Sequence, residues 1–261
     1  MSPPVLNPYM RAAVQLYTLR RVVEPLPELL SRVADAGYEG VEFAGLDQMG
    51  LRPVAEALGK TGLEPVGAHV THDRLQAERR EVVRELRTIG CTRVVVPAVH
   101  EEHFVDADSV NRMATRLSAL GGRLDADGRK LLYHNHDYEF GELSVEGNGG
   151  DGGQRDAFEL FVERAGDGLA FEFDVGWAAA AGRDPAAVLS RLDGRVPLVH
   201  IKDVDEDGNP VEPGDGIVDL VACAEAAREA GTEWLVYEHD DPADPLASMR
   251  QGARVLEDLL V

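Results

Sequence analysis

Short apolar runs recur along the whole chain, at 12–16, 40–43, 65–70, 93–96, 130–134, 169–174, 197–201 and 234–238. Each is four to six residues long, and most are rich in Val, Leu, Ile or Phe. Runs of this length and composition read as buried strands. Amphipathic segments separate them. Residues 25–36 carry Leu26, Leu29, Leu30 and Val33 at the i, i+3, i+4, i+7 spacing that puts all four on one face of a helix. Segments 78–89, 109–120, 185–192, 218–230 and 245–260 follow the same pattern. Gly37, Gly62, Gly90 and Gly231 each fall where a helical stretch gives way to the next strand, as a left-handed helix terminus requires.

Eight such units without a break in composition predict one domain over residues 1–261, a closed parallel (β/α)₈ barrel of the α/β class, or TIM barrel. The competing architecture is an open doubly wound sheet. It is weakened because no glycine-rich phosphate loop follows the first strand. One stretch interrupts the rhythm: residues 141–155, GELSVEGNGGDGGQR, are glycine-rich and polar. Their position after the fifth strand suits either a mobile lid over the C-terminal face or an unstructured insertion.

Composition narrows the picture. The chain has 47 acidic against 26 basic residues, a net charge of -21, and its only lysines are Lys60, Lys130 and Lys202. A surface this negative repels phosphate backbones, which argues against a nucleic-acid partner. It also suggests a halophilic protein whose carboxylates repel one another until salt screens them. The melting temperature should therefore rise from low salt to molar KCl; a flat response would trace the acidity to genome composition. No apolar run approaches the ~18 residues of a membrane span. The N-terminus lacks a basic-then-apolar signal, and Cys91 and Cys223 form no spaced motif, so the reading is a cytoplasmic protein with two buried thiols.

Alternation along the strands locates the candidate chemistry. If Leu169, Phe171 and Phe173 meet the helices, Glu172 and Asp174 face the lumen. The same rule turns His134, His136, His200, Lys202 and Glu238 inward, and earlier strands add Gln15, Tyr17, Glu42 and His69. So many buried charges need a partner. A divalent cation binds carboxylates and neutral imidazoles together. These residues lie at strand C-terminal ends, where barrels of this fold carry their active sites.

The ordered motifs AVQLYTLR, GYEGVEF, GAHV, LLYHNHDYEF, FEFDVGWAAAAGRDP, VHIKD with EPGDGIVDL, and YEHD resemble the xylose isomerase-like TIM-barrel superfamily over nearly the whole chain. Its members include sugar phosphate isomerases/epimerases, ketose 3-epimerases, inosose dehydratases and endonuclease IV. In the ketose epimerases a Glu, an Asp, a His and a Glu on strands five to eight hold the metal. The resemblance implies metal ligands at Asp174, His200 and Glu238. His134 stands at the first Glu position, as a fourth ligand or an acid/base group. Imidazole there favours Mn, Co or Zn over Mg. It also breaks the pairing of two carboxylates on opposite sugar faces that epimerisation uses.

The implied function is a metal-dependent sugar isomerase or epimerase moving a proton next to a carbonyl, with Glu238, His134 and Lys202 as catalytic candidates. Glu42, His69, His136 and Trp177 are candidate contacts to a sugar or polyol. The alternatives are an inosose dehydratase-type or keto-glycoside lyase, and a barrel that binds sugar without catalysis; an endonuclease is disfavoured by the charge. Lys202 has a second reading as an ion-pair partner of Glu172, and Asp203 reads as a loop or helix cap. Glu139 is a reserve ligand should the strand-five register differ. His72, His100, His103 and His239 are weaker candidates. The resemblance is compatible with a homodimer.

Overall fold

The computed structural model describes residues 10–46, 50–145, 153–192 and 194–261. The barrel strands are β1 (Arg11–Gln15), β2 (Gly40–Phe43), β3 (Glu64–Ala68), β4 (Arg93–Val96), β5 (Lys130–His134), β6 (Leu169–Asp174), β7 (Leu198–Ile201) and β8 (Trp234–Tyr237). They pair in the order β3-β2-β1-β8-β7-β6-β5-β4. The seam between β3 and β4 is closed by a parallel bridge from His69 to Val95 and by a Val70 N–H to Val95 O hydrogen bond of 2.8 Å. The open-sheet alternative is thereby excluded. Four of the eight predicted runs match their strands residue for residue, and the others shift at their ends by one or two positions.

The helices are α1 (Leu26–Asp35), α2 (Leu51–Thr61), α3 (His72–Ile89), α4 (Ala107–Asp125), α5 (Ala157–Arg164), α6 (Val175–Ala180), α7 (Pro185–Leu189), α8 (Leu220–Glu229) and α9 (Pro245–Leu259). Helices α2 and α3 end on Gly62 and Gly90 at φ 76° and 77°, the left-handed backbone that only glycine adopts freely. Aspartates start several others. Asp106, Asp156, Asp174, Asp184 and Asp219 each accept a backbone N–H of the first turn, so part of the acidity serves as helix caps.

Two apolar layers follow from strand alternation. Outward side chains such as Val14, Phe43, Val94, Tyr133, Phe171, Ile201 and Leu235 pack under the helices. Inward ones form a separate plug of Ala13, Val66, Val95, Leu132, Ala170, Leu198, Trp234 and Val236. Trp234 fills the barrel floor. A Cβ at Gly40 would lie 2.7 Å from its ring and 2.5 Å from Val66 Cγ1, so β2 carries glycine where the indole crosses. The plug occupies the lower lumen and leaves the C-terminal half to polar residues.

In the glycine-rich stretch, Glu142–Val145 and Gly153–Asp156 pair as an antiparallel ribbon. Of the stretch 141–155 read as a lid or an insertion, residues 146–152 lie outside the described residues. Among the described residues no helix is long and apolar enough to cross a membrane. Both cysteines are buried and free.

Candidate active site

Above the plug the inward residues form two tiers. Glu42, His69 and Glu172 make the lower one; Asp174, Glu238, Lys202 and Asp240 make the upper one. His200 and His134 connect them. Strand register explains the arrangement: His134 lies beside Glu172, Asp174 beside His200, and Val236 beside His200, which sets Glu238 one step higher.

His200 is fully buried and used at both nitrogens. Its Nε2 faces down, 2.8 Å from Glu42 Oε2 and 3.1 Å from Glu172 Oε1. Its Nδ1 faces up, 3.1 Å from Glu238 Oε2 and 3.8 Å from Asp174 Oδ2. His134 spans the tiers similarly, with Nδ1 3.1 Å from Glu172 Oε1 and Nε2 4.0 Å from Asp174 Oδ2. Glu172 Oε1 also meets His69 Nε2 at 3.0 Å, and Gln15 Nε2 lies 3.2 Å from the same nitrogen. Asp174 divides its oxygens: Oδ1 accepts the Trp177 N–H at 2.9 Å to start α6, and Oδ2 faces the lumen.

Lys202 is 1% exposed, and its ammonium lies 3.0 Å from Asp174 Oδ2, 2.9 Å from Glu238 Oε2 and 2.8 Å from Asp240 Oδ2. The alternative reading, an ion pair with Glu172, does not form. Trp177 covers the ammonium at 4.7 Å, and His136 borders Trp177 with ring centroids 5.6 Å apart. The mouth is thus lined by half-buried aromatic and imidazole faces.

Electrostatics divide the carboxylates. Burial alone would neutralise Glu238, but Lys202 and His200 outweigh it and hold Glu238 well below the usual range. Burial likewise opposes ionisation of Glu172, yet His200 and His69 keep it ionised. Burial pushes Asp174 up to about 6 against the pull of Lys202. Burial and the neighbouring Glu172 raise Glu42 to about 7. His200 is held well above its ordinary value: burial opposes this, and the charge of Glu172 overrides it. Burial drives His134 far down, and with Lys202 nearby it takes His136 down to about 4, so both imidazoles are neutral.

His134, Asp174, His200 and Glu238 offer ligand atoms within 4.8 Å of one another, the same four residues that the sequence singles out. Two imidazoles and two carboxylates suit a borderline divalent ion, so the donor set fits once His200 yields its proton to the incoming metal. His69, His134, Glu172 and His200 form a second, deeper group of the same spread. Asp240 is the residue that sequence reasoning left without a role, and Glu172, read there only as an alternative partner of Lys202, meets His69, His134 and His200 instead. Glu139 is no ligand: it accepts from Tyr133 OH at 2.5 Å and from the His136 N–H at 2.8 Å, on the side of β5 away from the lumen. Asp203 behaves as a loop organiser. It accepts the N–H groups of Val204, Gly214, Gly216 and Val218 at 2.9–3.0 Å, which folds the EPGDGIVDL segment that follows β7. His72, His100 and His103 lie outside these groups, on α3 and on the short turn of helix after β4. A separate cavity of about 360 Å³ lies by the ribbon, but its Arg155, Arg183 and Arg191 are each paired with a carboxylate.

A parallel barrel with a His/carboxylate cluster at its C-terminal rim defines the class of α/β barrel enzymes that bind their reactants there. The profile of the xylose isomerase-like TIM barrel family matches residues 30–259, and the chain belongs to that family. An inosose dehydratase of Lacticaseibacillus casei is 31% identical over 161 residues, 54% of this chain and 50% of the relative. The chain thus spans about half the length of that curated relative in the match. A sugar phosphate isomerase/epimerase from Parabacteroides distasonis superposes with a TM-score of 0.79 at 21% identity, covering 95% of this chain and 93% of the other. The IolI protein, solved with a bound zinc atom, gives 0.75 at 18% identity, covering 96% and 98%.

Proposed function

We propose that the protein is a metal-dependent lyase that removes water from a keto-polyol, beginning with proton abstraction next to the carbonyl. The observation that carries this reading is the unlike pair at the rim: an ionised Glu238 on one strand and a neutral His134, tied to Glu172, where a second carboxylate would serve epimerisation. Elimination can use a base and an acid of different kinds, here Glu238 and Lys202, whereas inversion at carbon is best served by two groups that can exchange roles, which a neutral His134 does not do with Glu238. The similarity to an inosose dehydratase points the same way.

Asp174, His200, Glu238 and His134 would hold the ion, with Mn, Co or Zn suiting the imidazoles better than Mg. When bound, such an ion supplies electron withdrawal from a carbonyl oxygen. Glu238 takes the proton from the adjacent carbon. The electron pair released expels the hydroxyl group one carbon further on, and Lys202 donates the proton that lets it leave as water. At the mouth His136 and Trp177 offer a hydrogen bond and ring faces to the polyol, while Glu42 and His69 lie in the lower tier against His200.

A second reading, isomerase or epimerase, shares the first step and is favoured by the fold of the Parabacteroides neighbour. The experiment that separates them uses a cyclic keto-polyol in deuterated water with Mn²⁺, Co²⁺ or Zn²⁺, followed by NMR. Deuterium at the α-carbon together with a dehydrated enone-type product is the expected result. Exchange with only an epimer or a moved carbonyl would favour the second reading. Binding without any exchange would leave a sugar-binding barrel.

A further inference from the structure

We propose that Lys202 is a resident counter-ion that competes with the divalent metal: metal entry displaces its ammonium from Asp174 and Glu238 onto Asp240. This inference rests on the metal reading above. It starts from a conflict in the geometry. The two carboxylates best placed to be ligands are the two that the ammonium already touches, at 3.0 and 2.9 Å. A divalent cation and an ammonium cannot share those oxygens without strong like-charge repulsion.

The surroundings of Lys202 are built for a cation with somewhere else to go. Asp240, 2.8 Å from the ammonium, belongs to neither candidate metal group and is 27% exposed, toward the mouth. The face of Trp177 lies 4.7 Å from Nζ and can follow the cation outward. Gly176 leaves room for the stem, since a Cβ there would lie 2.7 Å from Lys202 Cγ. Charge also balances after the exchange. Asp174, Glu238 and Asp240 carry three negative charges, matched by a divalent ion and one ammonium. The displaced ammonium then sits at the mouth, where it meets the substrate only when metal is bound. Lys202 thereby makes the metal-free site stable and couples the proton donor to metal occupancy.

The test compares Mn²⁺ and Zn²⁺ dissociation constants, by titration calorimetry, for the wild-type protein, Lys202→Met and Asp240→Asn. Lys202→Met should bind metal at least ~10-fold more tightly, because the competing charge is gone. Asp240→Asn should bind it more weakly, because the displaced ammonium loses its receiving carboxylate. Lys202→Gln serves if the Met variant does not fold. The metal-free Lys202 variant should also melt lower than wild type and recover more on metal addition. Unchanged or weaker metal binding in both Lys202 variants overturns the inference while leaving the metal reading standing. A wild-type protein that binds neither ion overturns the metal reading itself.

Discussion

Replacing Asp174 by Asn and Glu238 by Gln together should abolish stoichiometric binding of a divalent ion and lower α-proton exchange by more than about 10³-fold, the scale set by removing a principal electrostatic stabiliser. The pair is chosen because its two oxygens face the same point from β6 and from the residue after β8, with His200 Nδ1 between them. The substitutions are close to isosteric. The amide oxygen introduced by Asp174→Asn can still accept the Trp177 N–H that starts α6, so the helix cap survives. Metal content by mass spectrometry and exchange by NMR are the readouts, with circular dichroism to establish the fold. Exchange that persists in the double variant would mean that the chemistry does not depend on this cluster. A hydrogen-bonded core without metal would then be the better account of these residues.

Much of this site was legible because a barrel strand obeys a two-residue period. Once Leu169, Phe171 and Phe173 are assigned to the helix side, Asp174 must face the lumen, and the same logic turns His134, His200 and Glu238 inward. What alternation cannot supply is height. Which inward residues meet depends on the stagger between neighbouring strands, which no single strand encodes. The alternative reading of Lys202 as a partner of Glu172 fails for this reason. Glu172 lies level with Leu198 and Asp174 with His200, so Lys202 continues upward past both and reaches Asp174, Glu238 and Asp240. Asp240 was invisible because it follows the last strand on a loop, where no period applies. Glu139 misled because a buried carboxylate near the strand-five histidines looks like a ligand until Tyr133 is seen to hold it on the outer face. The glycine-rich segment looked wholly irregular, since neither arm of its ribbon has an apolar alternation strong enough to announce a strand.

The lower tier yields the other large effect: Glu172→Gln should cost about 3–5 kcal/mol of stability, the range for removing one partner of a buried charged pair. Glu172 is fully buried, and its Oε1 lies within 3.1 Å of nitrogens from His69, His134 and His200. A neutral amide cannot hold the positive charge that its carboxylate sustains on His200 and His69. The folded pKa of Glu172 is depressed, so its stabilisation is present above the ordinary carboxylate value and fades as pH falls through the folded one. The gap between wild type and variant, from urea unfolding, should therefore be full at neutral pH and narrow toward strong acid. A second readout separates positioning from mere packing. His200 gives up its Nδ1 proton when that nitrogen takes a metal, and the remaining Nε2–H is then held from below by Glu172 and Glu42. Loss of such an outer partner lowers metal affinity by ~10–100-fold. A Glu172→Gln variant that unfolds at the wild-type urea concentration, or binds metal as tightly as wild type, would show that the three histidines are oriented by their own packing and that the carboxylate beneath them is not what aims His200 at the rim.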